Sequence, residues 1–175
     1  MHKELDRKLV EKYPLLYRDR YAPMTETAMC WGFSCGDGWF NLLDTLSTLL
    51  CSQYNQEKER YESIKEYYEN GGKWPWKDGK VITPEEVEER RLKMVETEKS
   101  VPTVVQVKEK LGTLRFYING GTDEHYNYIR FAEYLSAVTC EECGKPGKIR
   151  GHGWYYTACD EHTKEGDLDG DISER

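Results

Sequence analysis

Four residues near the end of the chain constrain its folding more than any other feature. Cys140, Cys143, Cys159 and His162 stand in the pattern Cys-x2-Cys-x15-Cys-x2-His. A two-residue gap lets both side chains of a pair reach one ion, and the longer gap lets the chain fold back to bring the pairs together. Three thiolates and one imidazole make a closed tetrahedral shell for Zn2+, so the spacing predicts a structural zinc site, since catalytic zinc keeps an open position. An iron-sulfur cluster wants thiolates at all four places, and His162 argues against one. Gly144 suits the tight turn of a zinc knuckle, and the strand-like residues 153–157 between the pairs predict a treble-clef or ribbon-like element. Such a clip would fix about 25 C-terminal residues that could not bury enough apolar surface alone.

The rest of the chain reads as helices plus one hairpin. Leu5, Leu9 and Tyr13 share a face over residues 3–13, with Pro14 stopping the helix. Leu42, Leu43, Leu46, Leu49, Leu50 and Tyr54, continued by Tyr61, Ile64 and Tyr68, predict one long helix over residues 39–68. Thr83, Pro84 and Glu86 form a capping box with proline at the first helical position, opening a peripheral helix to about residue 99. Residues 103–108 and 113–118 are rich in β-branched and aromatic side chains and flank Gly112, which predicts a hairpin. A further helix runs from about residue 123 to 138, capped by Thr122 or Asp123. The expected class is α+β: a mostly helical body with a β-hairpin over residues 1–138, the zinc-binding element over 139–164, and a disordered acidic tail over 165–175.

Charge narrows the partners. The tail carries five acids and one Arg, more than half of the net charge of -7. The zinc segment 140–164 has four acids and four bases. Nucleic-acid binders show a basic patch, so nucleic acid is disfavoured as the partner. No apolar run reaches the roughly 18 residues of a membrane span, and the first residues lack a signal-peptide core, so a cytoplasmic protein with no membrane partner is expected. Cys30, Cys35 and Cys51 are an odd set without pairing logic, which fits reduced thiols.

Outside the metal quartet, Asp123, Glu124 and His125 follow Gly120-Gly121-Thr122 and have the chemistry for acid/base work, with Arg115 on the preceding strand able to hold an anion. A strand end, turn and helix cap account for the same residues and are the stronger reading. Trp31, Cys35, Asp37 and Trp39, in the glycine-rich run 30–39, can shape a ligand pocket, with core packing as the default and Asp37 as a helix cap. Lys73-Trp74-Pro75-Trp76-Lys77 interleaves rings with cations as a binding loop would, or anchors a long loop. His152 lies between two glycines as in an exposed turn. Asp167, Asp169, Asp171 and Glu174 have the wrong glycine position for an EF-hand.

The segment Val105-Gln106-Val107-Lys108-Glu109-Lys110-Leu111-Gly112-Thr113-Leu114-Arg115-Phe116-Tyr117, followed by Gly120-Gly121-Thr122-Asp123 and then by Cys140 to His162, resembles a family of uncharacterised bacteriophage and prophage proteins. The resemblance covers about residues 29–55 and 103–163. That family has no established activity, so no catalytic role transfers from it. It implies expression inside a bacterial host and binding of a host protein or small-molecule ligand. The expected function is therefore a zinc-stabilised, phage-encoded binding protein acting on a host target, possible targets including host defence through a protein or a small signalling nucleotide. The alternative is a hydrolase or nucleotide-processing enzyme built on Asp123, Glu124 and His125.

Overall fold

The computed structural model describes residues 1–74 and 79–167. In chain order its elements are α1 (Lys3–Lys12), β1 (Phe33–Ser34), α2 (Phe40–Leu50), α3 (Ser52–Glu69), α4 (Pro84–Ser100), β2 (Thr103–Lys110), β3 (Thr113–Asn119), α5 (Asp123–Ser136), β4 (Lys148–Arg150) and β5 (Tyr156–Ala158). The class is α+β. Two compact units divide the chain: Met1–Leu50 with Pro102–Arg175, and Cys51–Val101. The division falls at residues 50/51 and 101/102, and the metal element shares a unit with the first 50 residues.

The long helix expected over 39–68 is two helices. Cys51 interrupts it at φ -99°, ψ 3°. Any side chain tolerates that conformation, so no glycine or proline marks the break, and the apolar stripe continues across it. The smaller unit is built on α3 and α4. Thr83 and Glu86 form the expected capping box, each accepting from the other's backbone N–H, at 3.3 and 3.0 Å. Between the helices Ile82 is buried and its N–H donates to Gly72. Glu57 is buried on α3 against Arg60 of its own helix and Arg90 and Lys93 of α4. In the Trp-Pro-Trp loop, the Trp74 ring lies 6.3 Å from Tyr67; Pro75, Trp76 and Lys77 lie outside the described residues.

In the larger unit β1 runs parallel to β2, and β2 pairs antiparallel with β3. Leu111 and Gly112 make the hairpin turn with φ of 54° and 78°. Two successive left-handed residues match the right-handed twist of the flanking strands. The outer edge of β3 is covered: the N–H groups of Leu114 and Phe116 donate to Ser136 Oγ and Glu133 Oε1 of α5, at 2.8 and 3.1 Å. Those bonds satisfy an edge that would otherwise recruit another strand. The core is filled by Trp39, Leu43, Leu46 and Leu50, by Val104, Val107, Leu114 and Phe116 from the hairpin, and by Ile129 and Ala132 from α5. Tyr17 packs edge-on against Phe33 and hydrogen-bonds Ser47 at 2.7 Å. Asp6 is buried in a bidentate pair with Arg20. The tail expectation falls mostly on residues 168–175, outside the described residues. Asp167, at its start, accepts from the Tyr156 hydroxyl. No helix among the described residues is long and apolar enough to cross a membrane.

Candidate metal centre

The four sequence-predicted ligands converge. Cys140 and Cys143 sit on a knuckle in which Cys140 N–H donates to Lys145 and Gly144 N–H returns to Cys140, at 2.8 and 2.9 Å. Gly144 has φ 74°, the left-handed conformation such a reversal needs. The chain then forms the β4–β5 hairpin and ends in a single 3-10 turn, Asp160–His162, with Cys159 just before it and His162 N–H donating to Cys159 at 3.1 Å. Knuckle, hairpin and turn follow treble-clef order, the usual helix reduced to one turn. Lys145 bridges the halves through Glu161 at 2.7 Å.

The ligand atoms all lie within 4.8 Å of one another. Cys143 and Cys159 Sγ are 3.7 Å apart. His162 Nδ1 lies 3.2 Å from Cys159 Sγ and 3.7 Å from Cys140 Sγ. A tetrahedron with bonds of about 2.3 Å to sulfur and 2.0–2.1 Å to nitrogen has edges of about 3.8 Å between sulfurs and 3.6 Å between sulfur and nitrogen. These three edges lie within about 0.4 Å of those values and every pair lies within 4.8 Å, so the donor set could hold one metal ion. A disulfide, at about 2.05 Å, does not describe the Cys143–Cys159 pair, and all six cysteines are free thiols. Burial pushes the Cys140 thiol up, but N–H groups of Cys159, Cys143 and Glu142 outweigh it and bring it to about 7. For Cys143 the largest influence, the Lys145 N–H, lowers the pKa, yet burial and the neighbouring thiols together raise it.

The glycine-rich run 30–39 is the seat of this knuckle. Gly36 N–H donates to Glu141 Oε1 at 2.8 Å, and Gly38 N–H to the Glu141 carbonyl at 2.7 Å. A Cβ on Gly38 would lie 2.3 Å from Cys140 O, 2.4 Å from Gly144 N and 2.6 Å from Cys143 N. Backbone lies on backbone here, and no side chain fits. Trp39, 0% exposed, adds an Nε1–H bond to Thr139 O at 2.8 Å. Trp39 is thus core and knuckle support, whereas Trp31 is 67% exposed, so they do not line one pocket. Asp37 does not cap a helix; its Oδ1 accepts from His2 N–H at 2.6 Å. Burial pushes the Cys35 thiol up to about 12, which removes it as a nucleophile.

The second cluster does not assemble. His125 is buried and its Nδ1 accepts from Thr122 N–H at 3.2 Å, while its own N–H donates to Thr122 Oγ1. It is the reciprocal partner in a capping box. Glu124 accepts from Tyr128 on its own helix, Asp123 is exposed in the first turn, and Arg115 donates to Thr113 Oγ1 and Leu114 O on its own strand. Capping accounts for His125, and Glu124 is engaged by the Tyr128 hydroxyl, so the group is not arranged as an acid/base cluster. His152 is exposed in the loop between β4 and β5. Glu141, Thr139, Glu133 and Ser136, which position the site and the hairpin, were not singled out by the sequence. The three glycines of the run 30–39 signal a tight loop close to packed rings; what Gly36 and Gly38 approach is Glu141 and the knuckle backbone. The chain matches no family model, no curated protein and no solved structure.

Proposed function

We propose that the protein is a zinc-stabilised binding protein, with the metal acting as a structural clip. The observation that carries this reading is the donor set: Cys140, Cys143, Cys159 and His162 bring three sulfurs and one ring nitrogen within 4.8 Å of one another, where four protein ligands would close a tetrahedral zinc shell. A bound zinc ion would supply folding free energy. The chain's own residues do the rest: the thiols and imidazole hold the ion, and Gly36, Gly38 and Trp39 hold the knuckle against the body. Three thiolates need a reducing compartment. Together with the phage resemblance, that need favours the cytoplasm of a bacterial host. Action on a host protein or small ligand, including inhibition of host defence, rests on that resemblance.

Cys143→Ser tests the metal half. Its thiol is exposed and outside the core, so the variant should lose stoichiometric zinc by elemental analysis and loosen residues 139–167 in hydrogen exchange. Retained stoichiometric zinc sinks the assignment. For the binding half, pull-down from bacterial lysate and thermal-shift screening against cyclic nucleotides should yield a partner with the intact protein. Failure of both sinks it.

A further inference from the structure

Beside the metal centre, the larger unit carries a cavity of about 200 Å³ lined by Glu109, Glu141 and Glu142 and by the rings of Trp154, Tyr155 and Tyr156. We infer that this cavity is a receptor for a lysine or arginine side chain presented by a basic peptide segment of a partner protein.

Size argues for a side chain. Clefts that enclose drug-sized ligands measure roughly 300–1,000 Å³, so this cavity suits one long side chain better than a nucleotide. Charge sets the sign: the lining carries three carboxylates, one ammonium, Lys164, and the His162 ring of the metal quartet, and the excess of carboxylates repels phosphate and favours an incoming cation. Two of these carboxylates are held in place. Glu109 Oε1 accepts from Gly112 N–H at 2.5 Å and Glu141 Oε1 from Gly36 N–H at 2.8 Å, so little ordering remains to be done on binding.

The rings supply the second half of the recognition. Aromatic faces attract cations, most strongly when partly desolvated, and the chain already shows this here: Lys164 Nζ lies 4.6 Å over the Tyr156 ring. Trp154 is 79% exposed. A large indole held in water at a cavity mouth is the kind of group that anchors protein interfaces. Trp154, Tyr155 and Glu109 also line a second cavity of about 200 Å³, together with Lys110, Leu111 and Gly153. It offers apolar surface to residues flanking the bound cation, which a free ammonium ion would not use. That feature favours a peptide as the source of the charge.

The test is fluorescence anisotropy of a fluorescein-labelled tetra-arginine peptide with the full-length, metal-loaded protein. Saturable binding is expected, with Trp154→Ala weakening it about three- to thirty-fold and Trp154→Phe retaining most of it. Trp31→Ala, which removes an equally exposed indole, should change nothing. Glu142→Gln should weaken binding more than Glu11→Gln, which removes the same charge outside the cavity. No saturable binding, or equal losses in the Trp31 and Trp154 variants or in the two Glu variants, overturns the assignment. Displacement by choline at peptide-like concentrations overturns the peptide as ligand in favour of a small quaternary ammonium.

Discussion

Replacing Gly38 by Ala isolates the contact between the loop and the knuckle. Gly38 is not among the glycines with positive φ, so alanine can adopt its backbone conformation and the penalty is steric alone. The added methyl would meet three backbone atoms at 2.3–2.6 Å, where ordinary contacts need about 3.5 Å. None belongs to a flexible side chain, so loop and knuckle must separate by about 1 Å. Overpacking of this kind costs about 1–3 kcal/mol. Separation also stretches the 2.7 Å bond from Gly38 N–H to Glu141 O, worth about 0.5–1.5 kcal/mol. The expected total of about 1.5–4.5 kcal/mol corresponds to a fall in Tm of roughly 3–18 °C for a chain of this size. Because Cys140 and Cys143 lie on the displaced segment, metal affinity should fall as well. Thermal unfolding and competition with a chromogenic zinc chelator read the two effects. Gly120→Ala is the control: its φ of 77° makes alanine strained by about 1–2 kcal/mol, but nothing lies within 4 Å of the new Cβ. It should lower Tm and leave metal affinity unchanged. Wild-type Tm and affinity in Gly38→Ala would refute the docking described here.

Arg20→Ala should cost about 3–5 kcal/mol in denaturant unfolding, because it strands Asp6 as a buried, unpaired carboxylate. Glu11→Gln, at the exposed pair with Arg7, should cost at most about 1 kcal/mol. Burial lowers the pKa of His125, with Glu124 opposing, so the unfolded chain binds a proton more readily than the folded one. The stability contributed by the neutral ring is therefore present above the unfolded pKa of about 6.5 and is lost as pH falls towards the folded value. His125→Gln keeps a capping acceptor and does not titrate, so its stability should fall less steeply than wild type below about pH 6.5. Identical slopes would contradict the role given to His125.

The cluster of Cys140, Cys143, Cys159 and His162 was legible because coordination chemistry acts on local spacing: two short gaps and a reversal bring four donors together with little help from the rest of the fold. The hairpin and α4 were legible for the same reason, through the Leu111-Gly112 turn and the Thr83-Pro84-Glu86 start. What stayed hidden depends on distant partners. The glycine-rich run 30–39 reads as a tight loop, but the partner of Gly36 and Gly38, Glu141, lies more than a hundred residues on, and no local rule joins them. Covering the β3 edge through Glu133 and Ser136 likewise needs the placement of α5, which helical periodicity does not supply. The break at Cys51 was missed because the apolar stripe continues across it and no breaker residue sits there. Trp31 and Trp39 are alike in sequence, and only burial separates the core ring of Trp39 from the surface ring of Trp31.

The most direct test of the account is the metal content and coordination shell of the protein purified without added metal or a metal-affinity tag. Elemental analysis should find one zinc per chain. X-ray absorption should fit three sulfurs at about 2.3 Å and one nitrogen at about 2.0–2.1 Å. Substoichiometric metal, or a shell with fewer than three sulfurs or with an added oxygen from solvent, would contradict a closed structural site built from Cys140, Cys143, Cys159 and His162.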